Sequence, residues 1–238
     1  MAFKLIFKFD KGKDIWNWWH ACNRVYQGLD WKQRISKNIW KHLYKKNFEE
    51  ARTFLDEYLD KVYSKDKGLA LFRKKLPVFW KRKEKSLLVT LQKITDKPVY
   101  PATVTCYYTT FPRGPYDIKK FRWLQMPFFK LEQTNEEAMK TYCRGIMHEL
   151  LHFQFHHYYW DFAKKQGLTK NQIDSLKEAT TVLLNYYFYP KILDYDKGYK
   201  IHENLREDLL KIWKRKQDFS YLIVESSKLM KNKYSALK

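Results

Sequence analysis

The chain has 238 residues, 45% of them hydrophobic and 18% aromatic, with only seven Gly and seven Pro; this excludes a disordered chain and suits one large domain, or a core with appended helices. A formal charge of +21 is compatible with an anionic partner, but Lys and Arg are spread over the whole chain, which favours a solvated basic surface over a nucleic-acid site. Three widely spaced cysteines, Cys22, Cys106 and Cys143, make no disulfide scaffold, no apolar run approaches the roughly 18 residues that span a bilayer, and Met1 to Phe9 lacks a signal-peptide core, so the expectation is a cytoplasmic protein with no membrane partner.

Residues 3–9 alternate Lys with apolar side chains and read as a short strand ending at an Asp-Lys-Gly turn. From Asp14 the period becomes helical, with Ile15, Trp18, Trp19, Cys22, Val25 and Tyr26 on one broad face. Further helices are expected at about 31–45, 48–63 and 67–94, the last kinked or broken by Pro77. Tryptophans at helical spacing read as core. The densest basic cluster, Arg73-Lys74-Lys75 and then Lys81-Arg82-Lys83-Glu84-Lys85, reads as a solvated face.

Prolines 98 and 101 mark a change from helix to strand. They divide the chain into an N-terminal strand and helical region, residues 1–96, packing on a second region, residues 97–238. Residues 102–111, with Val104, Cys106 and Tyr108 alternating, read as a strand, and 121–126 as another. Thr134, with Glu137 three residues on, then forms a capping box that opens a long helix. Continuing to Gln166, that helix is about 45 Å long, so a bend near Gly145 or after His157 is expected.

This helix carries Met147-His148-Glu149-Leu150-Leu151-His152-Phe153, an H-E-x-x-H run. Positions four apart point the same way on a helix, so His148 and His152 can offer two imidazole nitrogens to one metal ion. Glu149 lies about 100° around the helix from His148, beside the metal and not on it. From there it can act as general base on a water whose pKa the metal lowers towards about 7. A structural zinc site is closed by four protein ligands, whereas a hydrolytic one takes three. His156 and His157 are poor third ligands, because His156 on a continuing helix lies about 12 Å along the axis from His148.

The run His148 to His152 resembles the signature of the zincin metallopeptidases. The resemblance implies a predominantly helical α+β fold: a zincin-like catalytic core in residues 97–238, with a small sheet before the active-site helix, and an N-terminal helical region beside it. It also implies Zn²⁺ as cofactor, a peptide or protein substrate, and an edge strand that aligns the substrate backbone, with the second strand and the Pro112 to Tyr116 loop bordering the cleft. The metzincin subclass is not matched, since Phe155 and Tyr158 stand where its glycine and third His belong. The gluzincin subclass, with a Glu on the following helix, fits better. After the stop signal Gly167, Thr169 and Gln172 make a capping box, and 171–187 is periodic through Ile173, Leu176, Val182, Leu183 and Leu184. On that helix Glu178 is the third ligand by analogy with the subclass, with Asp174 in reserve.

Beyond Pro190, residues 194–199 form a turn-rich loop, His202-Glu203-Asn204 opens a helix, and Asp218 caps the last one. By the same resemblance His202 is a candidate to steady the oxyanion, with Tyr199 as another donor. The expected activity is zinc-dependent hydrolysis of an amide bond, with Glu149 as general base and His148, His152 and Glu178 as ligands. Two alternatives stand beside it. One is a nucleic-acid-binding basic protein with a degenerate or structural metal site. The other is a deformylase-like amide hydrolase with Cys106 as the third ligand, although that family's glycine-bearing motifs are missing around Thr105-Cys106-Tyr107.

Overall fold

A computed structural model describes residues 3–26, 28–65, 67–128 and 136–234. In chain order its elements are β1 (Lys4–Phe9), α1 (Lys11–Cys22), the short strands β2 (Val25–Tyr26) and β3 (Leu29–Asp30), a 3-10 turn at Trp31–Arg34, α2 (Lys37–Trp40), α3 (Phe48–Lys65), α4 (Lys67–Thr95), β4 (Thr103–Thr109) and β5 (Trp123–Pro127). There follow α5 (Glu136–Gln154), a π-helical segment at Phe155–Tyr159, α6 (Trp160–Lys165), α7 (Lys170–Thr180), α8 (Val182–Phe188), a 3-10 turn at Lys200–His202, α9 (Glu203–Arg215) and α10 (Phe219–Asn232). The fold is predominantly helical α+β, with a small three-stranded sheet and a two-stranded one ahead of the motif helix in sequence. No described helix is long and apolar enough to cross a membrane.

The described residues form two compact units, neither continuous in sequence: a sheet unit, from those within 4–79 and 103–142, and a helical unit, from those within 80–102 and 143–234 with Phe3. The boundary expected at 96/97 falls inside the helical unit. Strand pairing explains the discontinuity, because β1 lies alongside β4 with Lys4 opposite Thr103 and Phe9 opposite Tyr108.

In the sheet unit β1, β4 and β5 run parallel in the order β1-β4-β5. The alternation of Val104, Cys106 and Tyr108 buries all three, as a one-faced strand requires. The connection from β4 to β5 folds back along β5: Gln125 N donates to Pro115 O at 2.8 Å and Asp117 N to Trp123 O at 2.9 Å. Gly114 permits this approach, since a Cβ there would stand 2.8 Å from Gln125 O. The outer edge of β5 is therefore taken at these positions by its own loop, and the expectation that it aligns a substrate backbone is not met there.

Asp10 caps α1 by accepting from Lys13 N, and α1 packs on α3 and β4. Ile15, Trp18, Ala21, Cys22, Leu43, Ala51, Leu55, Leu59 and Phe111 form a core of this unit. The helix expected at 31–45 is instead a 3-10 turn capped by Asp30 and a separate short α2 capped by Ser36. Extended Ile35 separates them, because two side-chain caps compete with one continuous ladder. Pro77 does not end α4. Its missing N–H would have bonded the carbonyl of Arg73, and there the Tyr108 hydroxyl donates instead, at 3.4 Å.

In the helical unit α5 passes into the π segment and then α6, which ends before Gly167 at φ +82°. The irregularity expected in this helix is thus a widened turn over residues 155–159. Thr134, the expected cap, lies outside the described residues. The Thr169–Gln172 capping box opens α7, and Asp218 caps α10 through Tyr221 N. The single helix expected over 171–187 is interrupted at Thr181, between α7 and α8. Here α7 and α8 pack on α9, α9 on α10 and α10 on α6, around buried Leu176, Leu183, Leu209, Trp213 and Phe219.

Candidate metal centre

Two helices of the helical unit supply three candidate ligands. His148 and His152 project from one face of α5 with ring centroids 4.4 Å apart, and Glu178 comes from α7. Glu178 Oε2 lies 3.2 Å from His152 Nε2 and 3.6 Å from His148 Nε2. One ligand atom from each of the three residues falls within 4.8 Å of the other two. A tetrahedral ion with bonds of about 2.0–2.1 Å has ligand–ligand edges of about 3.3 Å, close to the 3.2 and 3.6 Å that separate the carboxylate oxygen from the two imidazole nitrogens. Burial grades across the set. His152 and Glu178 are 2% and 5% exposed, and His148 is 16% exposed.

The orientation of His148 comes from a residue that the sequence pattern did not single out. Its Nδ1 lies 2.7 Å from Oδ2 of the fully buried Asp196, which can accept the Nδ1 proton and leave Nε2 for a metal. Asp196 is itself held from several directions. Its backbone N donates to Asn185 Oδ1 at 2.7 Å, and Asn185 Nδ2 donates back to its carbonyl at 2.8 Å. Arg206 donates to that carbonyl and, at 3.2 Å, to Oδ1, while also donating to Thr181 Oγ1 at 2.6 Å. Gly198, at φ +61°, makes room: a Cβ there would meet Arg206 Nη1 at 2.6 Å. On the other side, Lys177 Nζ sits 2.9 Å from Glu178 Oε1 and so turns Oε2 towards the imidazoles.

Electrostatics separates the two histidines. Burial opposes the charged form of His148, but Asp196, Glu178 and Glu149 outweigh it and raise its pKa to about 10. For His152 burial dominates, helped by Lys177 and His148 against the pull of Glu178, and its pKa falls to about 3. Burial alone would raise Glu178, yet Lys177 and the two imidazoles hold it well below the usual carboxylate range. Asp196 likewise lies below that range, because His148, Arg206 and Arg144 outweigh its burial. The cluster thus balances buried carboxylates against imidazolium, ammonium and guanidinium groups.

Other expected residues fall in several places. Glu149 is half-buried on α5, close enough to His148 to help raise that group's pKa. His202 is fully buried in the turn before α9, with neither ring nitrogen hydrogen-bonded among the described residues. Burial lowers its pKa despite the opposing charge of Glu178. Tyr199 meets the His202 ring edge-on at 5.9 Å. Asp174, the reserve ligand, faces Lys177 at 3.9 Å and does not join the ligand group. Nor do His156 and His157, which stack on Trp160 and Tyr100. Cys106 is buried in β4 of the sheet unit and is not part of the group.

Asp196 carried one weak sequence signal, an acid two residues before a glycine in a turn-rich loop, which Asp194 also carries in part. Arg206 and Lys177 carried a clearer one: each is a charged residue at a buried helix position, Arg206 beside Leu205 and Leu209, and Lys177 beside Leu176 and Ala179. No protein-family model, curated protein or solved structure matches the chain.

Proposed function

We propose that the protein is a zinc-dependent metallopeptidase that hydrolyses peptide bonds. The observation that carries this reading is the convergence of His148 Nε2, His152 Nε2 and Glu178 Oε2, with His148 Nδ1 directed to Asp196. Two imidazoles and one carboxylate suit Zn²⁺, and three protein ligands are the complement of a hydrolytic site. Zinc held there supplies Lewis acidity to a scissile carbonyl and lowers the pKa of an attacking water.

The chain's own residues do the rest. Glu149, the residue after His148, would serve as general base towards the attacking water and as proton donor to the departing amine nitrogen. Asp196 fixes the tautomer and ring plane of His148, and Lys177 holds Glu178 so that one carboxylate oxygen faces the imidazoles. His202, neutral through burial, donates a ring N–H to the oxygen on which charge develops. A reducing, cytoplasmic setting belongs to the same proposal, supported by buried Cys22, Cys106 and Cys143, none of which is in a disulfide.

The test measures metal and hydrolysis together. Wild type should carry about one zinc per chain, and His152→Ala and Glu178→Ala should lose it. Glu149→Gln should keep the metal and cleave a mixed peptide library at least ~100-fold more slowly. A wild type that binds no metal under replete conditions, or a Glu149→Gln chain that cleaves at the wild-type rate, would falsify the assignment.

A further inference from the structure

The ligand set is not equally accessible, and its most open member has a cation beside it. His148 is 16% exposed while the other two ligands are nearly closed off. Arg144 stands one helical turn before His148 on the same face of α5, with its side chain 25% exposed. Its Nη1 lies 3.6 Å from Asp196 Oδ2, beyond hydrogen-bond distance, and that oxygen already faces His148 Nδ1 at 2.7 Å. The other oxygen of Asp196 is engaged by Arg206 and Thr181.

Arg144 Nε is shielded from solvent with no hydrogen-bond partner among the described residues. Arg206 is bound to Thr181 and Asp196 by several hydrogen bonds, whereas the guanidinium of Arg144 has one loose ion pair to the same carboxylate. A guanidinium offers five N–H donors in a planar fork that matches a carboxylate bidentately. The partly exposed end of this guanidinium, one helical turn from the most accessible of the three ligands, is suited to an anion that arrives with the substrate.

We infer that Arg144 selects peptides presenting a carboxylate next to the bond to be cleaved, either a free C-terminus or an acidic side chain. The inference rests on the peptidase reading above. Arg144 is a specificity-determining residue here, with no part in bond cleavage.

The test reads binding instead of turnover. Zinc-loaded Glu149→Gln chain is titrated calorimetrically with three peptides: N-acetyl-trialanine as the free acid, the same peptide as its C-terminal amide, and N-acetyl-Ala-Glu-Ala amide. At least one carboxylate-bearing peptide should bind about 10- to 100-fold more tightly than the trialanine amide. Which one does so distinguishes a C-terminal from a side-chain carboxylate. Adding Arg144→Met should abolish that preference in a chain that still binds zinc and the amide, and Arg144→Lys should restore part of it.

Equal affinities of all three peptides with zinc bound, or binding of none of them, overturn the role given to Arg144. So does an Arg144→Met chain that weakens acid and amide alike or loses zinc, because Arg144 would then serve only to support Asp196. Absence of zinc from the wild type, measured on the same samples, instead overturns the peptidase reading itself.

Discussion

Asp14 in the sheet unit and Glu178 in the helical unit are both buried carboxylates, and their partners differ in kind. Asp14 is surrounded by neutral donors: Thr109 Oγ1 at 2.6 Å and Thr110 N at 3.0 Å on one oxygen, Tyr63 OH at 2.8 Å and Thr110 Oγ1 at 2.7 Å on the other. Burial dominates there, and its pKa is raised even though every one of those bonds favours the anion. Glu178 faces Lys177 and two imidazole nitrogens, and its pKa is driven down despite equal burial. The first arrangement ties α1 and α3 to the end of β4 and spends the carboxylate on hydrogen bonds. The second gathers groups that can ligate a metal. Burial of an acid therefore marks neither function nor structure by itself; the chemistry of its partners decides.

Substitutions sharpen that contrast, beginning with the largest effect. Asp14→Ala removes the acceptor of four donor groups and should cost roughly 3 kcal/mol in urea unfolding. It should leave zinc content unchanged. Loss of zinc from this variant, or a cost under ~1 kcal/mol, breaks the division between a structural and a ligating cluster.

Asp196→Asn should behave in the opposite way. The chain should stay folded while zinc affinity, read by competition with a chromogenic chelator, falls about 10- to 100-fold, because His148 loses its orienting acceptor. Unchanged affinity would mean that the Asp196–His148 contact does not tune the site.

The smallest effect belongs to Asp208, which joins α9 to the end of α10. Lys233 Nζ at 2.6 Å, Tyr234 OH at 2.7 Å and Lys211 Nζ at 3.1 Å outweigh its desolvation and lower its pKa to about 2. The pKa is depressed in the folded state, so the stabilisation is present above the ordinary carboxylate value of 3.8 and is lost as pH falls through about 2. Discounted for solvent screening, Asp208→Asn should cost less than ~1 kcal/mol at neutral pH. The difference from wild type should shrink in thermal melts as pH falls through about 2 and vanish below it. A difference that persists there would assign the effect to packing.

The H-E-x-x-H run places His148, Glu149 and His152 on one helix by periodicity alone, and no tertiary contact is needed for that. Glu178 was legible in a weaker sense, as an acid in an apolar helix with few competitors, and the structure brings its carboxylate to the two imidazoles. Asp196 was not legible, because it comes from a loop 48 residues beyond His148 in sequence and meets it only through tertiary folding. Asp30 and Ser36 show the same limit at smaller scale: periodicity suggested one helix, while two caps divided the segment.

The sequence by itself determined the helical character of the chain, the strand at its start, the parity of the β4 side chains and the local geometry of the motif. These depend on backbone period, cap chemistry and turn residues, all of which act over a few positions. Only the tertiary structure decided that β1 pairs with β4, that the loop from Pro115 to Asp117 covers the edge of β5, and that Asp196, Lys177 and Arg144 stand around the histidines. Those relations join residues far apart in the chain or choose among equivalent side chains. They follow from where buried polar groups can find partners, which no local pattern encodes.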